Sequence, residues 1–395
     1  MTEAARPQGF AWWMMVISLF AGNGSAALIY DALPPVLAQL SAHFGGGEYG
    51  DMIGQWASSL PMGGIIVGGI LAGSIIERFG VRMALLIGLI GFGVFGSAGL
   101  WINDAIYLLV SRAVLGVAVG IQLTCCTSLV AHYFHGEERA LMAGRLVGVG
   151  AVAGVSFILV AGFAATLAGW RAPFALHGVW MALMVGPAWF ISRDIVFNHQ
   201  KFSWSERLAA LSPMLPVFLV TLGVYILSGL FNVQLAFLVA AAGISGPTVI
   251  ATIFALAGAS VAVFSLMFGR IELLLGPDNA IRVGMLSLAA GYVVAAMATT
   301  LPVYWASAIL YGAGIGLVAP GLWTIGMART PSNMVPHAMG IMTSAIYLGG
   351  SFGPLIILPI RSVVGLHGQY FVAAGVLMAA MIVQMTRARS GRAAN

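Results

Sequence analysis

Charge is what this sequence has least of. Lysine, arginine, aspartate and glutamate make up 7% of its 395 residues, seventeen basic and twelve acidic, where an ordinary soluble chain carries about a quarter. So few charges cannot cover a water-facing surface. Cysteine is nearly missing: Cys125 and Cys126 are the only two, which excludes a disulfide scaffold and any Cys-rich metal site; they read as small packing residues. The +5 balance comes from basic residues scattered singly along the chain, which argues against a nucleic-acid partner. No phosphate-cradling GxxxxGK[ST] loop and no nucleophile–base–acid set is present. ATP-driven transport and hydrolysis are therefore disfavoured, and neither an enzymatic activity nor a cofactor is expected.

What fills the chain is apolar. Hydrophobic residues are 60% of it, the mean hydropathy is +0.99, and glycine accounts for 52 positions, well above the usual share of about 7%. Small residues let helices approach closely in a bilayer, and a span needs about 20 mainly apolar residues. Twelve candidate spans follow: roughly 11–38, 51–73, 83–101, 105–131, 141–166, 173–192, 212–240, 248–269, 280–300, 304–328, 338–360 and 369–386. The first is too long for a signal-peptide core and reads as retained. The expected organisation is a six-span bundle over 1–192, a polar linker over 193–211, and a second six-span bundle over 212–395.

Placing the amino terminus in the cytoplasm puts fourteen of the seventeen basic residues inside; only Arg171 and Arg361 fall outside, and Arg112 lies within a span. The positive-inside rule therefore expects both termini in the cytoplasm. One lysine against sixteen arginines, with abundant Ala and Gly, suits a GC-rich bacterial gene and hence a plasma or inner membrane.

The halves also repeat. At an offset of 196 residues ten glycines fall on glycines: Gly47 on Gly243, Gly50 on Gly246, Gly73 on Gly269, Gly80 on Gly276, Gly88 on Gly284, Gly116 on Gly312, Gly120 on Gly316, Gly144 on Gly340, Gly154 on Gly350 and Gly169 on Gly365. Chance predicts about three, so the pattern marks a duplicated six-span unit. Parallel repeats of this kind flank a central cavity in secondary transporters.

After the second span the chain reads Gly73-Ser-Ile-Ile-Glu77-Arg78-Phe-Gly80-Val-Arg82. This resembles the signature loop of the major facilitator superfamily, with Glu77 where the pattern usually has Asp. Arg112 ahead of Gly116 and Gly120 resembles the superfamily's second motif, and Gly169-Trp170-Arg171 with Phe174 is also similar. The resemblance implies an all-α membrane protein of twelve helices in two six-helix pseudo-repeats around a central cavity. It also implies a secondary transporter working by alternating access, usually as a monomer. Gly73, Glu77, Arg78, Gly80 and Arg82 would serve the gate, or simply anchor the topology. The second-half counterpart, Gly269-Arg270-Ile-Glu272 to Gly276, keeps the glycines and loses the acid–Arg pair. Drug/proton antiporters of the superfamily carry Gly-Pro in span five; here there is no proline between 144 and 166, and Gly353-Pro354 stands in span eleven instead.

Ionisable residues inside spans are functional hypotheses by default. Asp31 and Arg112 each lie about seven residues from the outer end of their spans, ~10 Å deep at 1.5 Å per residue. Equal depth and opposite sign allow them to interact. Asp31 then exchanges a proton while Arg112 biases its charge state, or Arg112 binds an organic carboxylate with its forked donors, or the two form a static pair. Asn23, Ala27, Tyr30, Asp31 and Pro34 share one helical face, as do Tyr225, Ser228 and Asn232 in span seven. Tyr30, Asn23, Tyr225, Asn232 and Gln122 are the candidate solute contacts beside Arg112, with Gln234, Trp323 and Tyr347 weaker; polar side chains in bundles also serve as helix–helix glue. His177 reads as hydrogen-bonded within span six, and His132 as solvated at the end of span four. The expected partners are a small-molecule substrate, protons and the lipid bilayer. Proton symport of a small organic anion is the preferred reading. Proton-driven efflux is the alternative, and a non-transporting sensor on the same scaffold a remote one.

Overall fold

The structure is a computed structural model that describes residues 8–134, 136–191, 214–244, 246–329 and 335–393; the expected linker over 193–211 lies outside them. Helix follows helix, with no strand among the described residues. The helices are α1 (Phe10–Asp31), α2 (Leu37–His43), α3 (Gly47–Gly96), α4 (Ala105–Tyr133), α5 (Gly136–Ala168), α6 (Ala175–Ala188), α7 (Leu215–Gly229), α8 (Leu235–Ala241), α9 (Pro247–Leu275), α10 (Pro277–Met297), α11 (Leu301–Ala328) and α12 (Val335–Ala393). Nine helical stretches among the described residues are long and apolar enough to cross a membrane, and Ala172–Ala188 is a shorter apolar helix. Two of the nine, Gly47–Leu100 and Met342–Met381, are of near double length and break at Gly80 and Gly365. This is consistent with twelve spans. Pro34 and Pro35 interrupt the first stretch: α1 stops at Asp31, and Pro34–Val36 forms a short 3-10 turn before α2.

The break at Gly80 reverses the chain within one residue. Gly64 and Gly68 of the first arm of α3 approach Ala113 and Val117 of α4, rising together in number, whereas Gly88 and Gly96 of the second arm meet Gln122 and Arg112 in falling order. One glycine suffices because Gly80 adopts φ 78°, ψ 157°, a region essentially closed to any residue with a Cβ. The signature segment up to Phe79 is accordingly helical rather than the loop expected from its sequence.

Chain contacts divide the molecule into two compact units, Met1–Lys201 with Gly246–Ala251, and Phe202–Ser245 with Thr252–Asn395. Their internal geometry repeats at the 196-residue offset. Gly276 has φ 80°, ψ 158°, matching Gly80, and the positive-φ glycines Gly47 and Gly169 recur as Gly243 and Gly365. A Cβ at Gly116 would strike the Pro61 carbonyl, and one at Gly312 that of Ala257; one at Gly120 would strike Ile65, and one at Gly316 Val261. In each pair both members are 196 residues apart. The duplication read from glycine spacing is thus a duplicated helix crossing, in which backbone rests on backbone.

The first unit carries polar bonds inside this packing. Ser25 Oγ donates to Gln122 Oε1 at 2.7 Å, Gln122 Nε2 donates to the Gly88 carbonyl at 3.0 Å, and Trp180 Nε1 donates to Ser25 Oγ at 3.1 Å. One amide joins three helices, and Trp180 adds a fourth through Ser25. Cys125 and Cys126 are buried and free, packed among Leu19, Leu85, Leu89 and Leu129.

Replacing Gly80 or Gly276 by alanine is expected to lower the apparent melting temperature of the purified protein, each forcing a strain of about 1–3 kcal/mol. Gly73→Ala, with open space around the new Cβ, is expected to leave it unchanged or slightly raised. Equal stability of Gly80→Ala and wild type would show that the chain can reverse there without the glycine geometry.

Candidate functional site

In the first unit the C-terminal half of α1 presents one open face. Every residue from Ala21 to Asp31 is buried except Asn23, Ala27, Tyr30 and Asp31, which are the positions the helical spacing singled out. Glycines of α5 lie against it. A Cβ at Gly150 would come 3.4 Å from Asn23 Cβ, and one at Gly154 would come 2.6 Å from Asp31 Oδ2. The carboxylate therefore rests over the bare backbone of Gly154, and Asp31 has no hydrogen bond or ion pair among the described residues.

Arg112 sits elsewhere. It is fully enclosed between α3, α4 and α6: Nη1 reaches the Gly96 carbonyl at a long 3.5 Å, the guanidinium carbon lies 5.3 Å from the Phe174 ring, and Nε and Nη2 have no partner among the described residues. His177 completes this cluster. Its Nδ1 donates to the Phe174 carbonyl at 3.2 Å, its ring lies 5.1 Å from that of Phe92, and Nε2 is unpartnered. The ion pair that equal depth allowed does not form in this conformation: Asp31 faces α5 and Arg112 the α3–α6 side.

Gln122 is also placed differently from a solute contact. It is buried, and both ends of its amide are bonded within the bundle, so it joins helices here and offers nothing to a solute. The signature residues spread around the Gly80 break. Glu77 and Arg78 are exposed, Arg78 lying 5.3 Å from the Phe79 ring, while Arg82 turns inward and stacks 4.1 Å from the ring of Trp189 beyond α6.

The second unit builds its polar site around an irregularity in the seventh span. Between α7 and α8 the chain makes a π-helical turn, Leu230–Gln234. Such turns widen the helix by one residue and free carbonyls from their usual partners. Tyrosines from neighbouring helices take them: Tyr292 Oη donates to the Leu227 carbonyl at 2.8 Å and Tyr370 Oη to that of Leu230 at 3.0 Å. Within 228–239 the turn leaves one residue short of full burial, Asn232. Beside it the Phe231 ring stacks on Tyr311 of α11, with centroids 3.9 Å apart and planes 5° from parallel. Tyr225 is half-buried on the same helical face. Gln234, by contrast, accepts from Arg361 Nη1 at 3.1 Å and is buried.

Tyr311, Tyr292 and Tyr370 were not among the residues the sequence singled out. A signal existed: six of the ten tyrosines lie in the second half and within its spans, and a hydroxyl inside an apolar bundle needs a partner or a purpose.

Similarity to known proteins agrees with this architecture. Stretches of the chain are 29% identical over 128 residues to the gallate transporter of Pseudomonas putida (32% of this chain, 26% of that protein) and 26% identical over 132 residues to the 4-hydroxybenzoate transporter PcaK of Acinetobacter baylyi (32% and 28%). The chain thus aligns with about a quarter of the length of those curated relatives. Among solved structures it superposes on the nucleoside transporter NupG with a TM-score of 0.75 at 13% identity, covering 94% of this chain and 99% of that one. It superposes on the D-xylose-proton symporter with 0.72 at 19% identity, covering 93% and 96%. At such identities these two show the fold alone. The family model of the Major Facilitator Superfamily matches residues 7–354, and the chain belongs to that superfamily of membrane transporters.

Proposed function

We propose that the protein is a proton-coupled symporter of a small organic anion, working by alternating access, with Asp31 as the group that takes up and releases the proton. The observation that carries this is the bare carboxylate: Asp31 lies within an apolar span, over Gly154, with no hydrogen bond or ion pair among the described residues. A carboxylate held there is neutralised by a proton, or by a cation that approaches it. The names of two relatives, transporters of gallate and of 4-hydroxybenzoate, support the solute class.

Arg112 is the cation of this scheme. Enclosing an arginine with two unpartnered nitrogens costs several kcal/mol, which favours a state of the cycle in which a carboxylate satisfies it, either that of Asp31 or that of the solute. Its planar fork suits a carboxylate better than an ammonium does. Asn23 and Tyr30 share the open face of α1 with Asp31 and are proposed as solute contacts, as are Tyr225 and Asn232 in the second unit. Gly73, Glu77, Arg78, Gly80 and Arg82 are proposed as the gate. A Cβ at Gly73 meets nothing in this conformation, so a need for glycine there would arise in another one. The same reading places both termini in the cytoplasm, the protein in the plasma or inner membrane and its function in the monomer.

Three outcomes are expected in proteoliposomes. Asp31→Asn abolishes accumulation driven by a pH gradient while counterflow exchange of the solute persists; undiminished pH-driven accumulation removes Asp31 from coupling. Gly154→Ala pushes a methyl group against the carboxylate and weakens coupling in the same direction at nearly unchanged melting temperature. Arg112→Lys keeps the charge and loses the fork, weakening aromatic carboxylate binding tenfold or more; unaltered affinity assigns Arg112 to packing.

A further inference from the structure

The tyrosines of the second unit fall into two groups. Tyr292, Tyr304 and Tyr370 each donate their hydroxyl to a backbone carbonyl: Leu227, Ala298 and Leu230, at 2.8, 3.0 and 3.0 Å. Tyr225, Tyr311 and Tyr347 donate to no backbone carbonyl among the described residues. The second group is gathered in one place. Tyr311 lies within interaction range of the side chains of Tyr225, Ser228 and Asn232, and Tyr347 within range of Tyr225. Ser228 Oγ, 3% exposed, closes no hydrogen bond of ordinary geometry among the described residues, and neither does the amide of Asn232. Three phenols, one hydroxyl and one amide thus stand together, with Tyr311 close enough to bond Ser228 and Asn232 and no backbone group taking any of the five among the described residues.

Buried polar groups in native proteins are satisfied by protein, water or ligand; Ser228 and Tyr311 are buried while Tyr225, Asn232 and Tyr347 are half-buried, so the cluster has a closed end and an open one. This cluster is also held rigidly. The π turn that aims Asn232 is pinned by the Tyr292 and Tyr370 hydroxyls, and the Tyr311 ring is fixed by its stack on Phe231. None of the groups carries a charge, so the cluster has no preference for an anion or a cation. Its complement is a neutral group that both donates and accepts, on a flat body able to lie against phenol rings.

The geometry points to Tyr225, Ser228, Asn232, Tyr311 and Tyr347 as a subsite that recognises the hydroxyl substituents of the transported solute and so selects hydroxylated over unsubstituted rings. This deepens the proposed transport of an organic anion and rests on it for the solute class. A site built to bond a hydroxyl rejects the analogue lacking it, because its own polar groups are then left unpaired.

The test measures binding of benzoate, 4-hydroxybenzoate and 3,4,5-trihydroxybenzoate to the purified full chain, as wild type and as Tyr311→Phe, Ser228→Ala and Asn232→Leu. Tyr311→Phe keeps the ring on Phe231 and removes only the oxygen, so it folds as wild type does. Wild type is expected to prefer the hydroxylated acids. Tyr311→Phe and Asn232→Leu are each expected to weaken those acids about three- to tenfold, the worth of one hydrogen bond, while benzoate affinity stays the same. Hydroxyl preference undiminished in all three variants overturns the subsite and leaves the organic-anion reading intact. A wild type that binds none of the three acids overturns the organic-anion reading instead; xylose and uridine then serve as neutral hydroxylated probes. Binding of either that weakens in Tyr311→Phe upholds the subsite, and failure of both to bind overturns it too.

Discussion

A chain that crosses hydrocarbon must satisfy its backbone polar groups internally, because no water is there to do it. Most of this structure follows from that demand. The backbone stays helical wherever it can, and helices pack through glycine so closely that the carbonyls of Pro61 and Ile65 lie where the Cβ atoms of Gly116 and Gly120 would be. Where the helix is broken, a side chain repairs it. The π turn of the seventh span frees carbonyls, and the Tyr292 and Tyr370 hydroxyls close on those of Leu227 and Leu230. An irregular backbone held this way is rigid, and it orients Asn232 without help from a loop.

The two units share a scaffold but not a chemistry. At the 196-residue offset Asp31, Arg112, Gln122 and His177 correspond to Leu227, Ala308, Val318 and Ala373, while Tyr292, Tyr311 and Tyr370 correspond to Gly96, Leu115 and Phe174. The exchange is partly one of volume. Gly96 leaves room for Arg112 and His177 in the first unit, and its counterpart Tyr292 fills that space in the second. Duplication accordingly preserved the glycines that set helix distance and released the positions that decide polarity. At these positions the first unit has ionisable side chains, Asp31, Arg112 and His177, where the second has apolar ones, and the second has tyrosines where the first has Gly96, Leu115 and Phe174.

Arg112 illustrates what a single conformation of a transporter leaves open. Its guanidinium is enclosed by Phe174, Gly96 and their neighbours, and Asp31 rests against a different helix. Neither group has a partner of opposite charge among the described residues. In the proposed cycle these two residues are satisfied alternately, by each other, by a proton or by a solute, and that alternation couples one flux to another.

The architecture was legible in the residues themselves. Low charge and long apolar runs require a membrane, the glycine offset marks the duplication, and the segment from Gly73 to Arg82 carries the family, because each rests on local composition or spacing. The face of α1 bearing Asn23, Tyr30 and Asp31 was legible for the same reason, since helical periodicity alone decides which residues share a side. Pairing was not. Depth along a helix says nothing about rotation around it, so Asp31 and Arg112 looked like neighbours, and Gln122 looked open when its amide was already bonded on both ends. Nor does any local pattern announce a π turn, which exists because tyrosines more than sixty residues away in the chain supply the hydrogen bonds it lacks. Sequence determined which residues lie at the same level and on the same face. Only tertiary packing decided which of them touch, because contact depends on how separate helices turn toward one another.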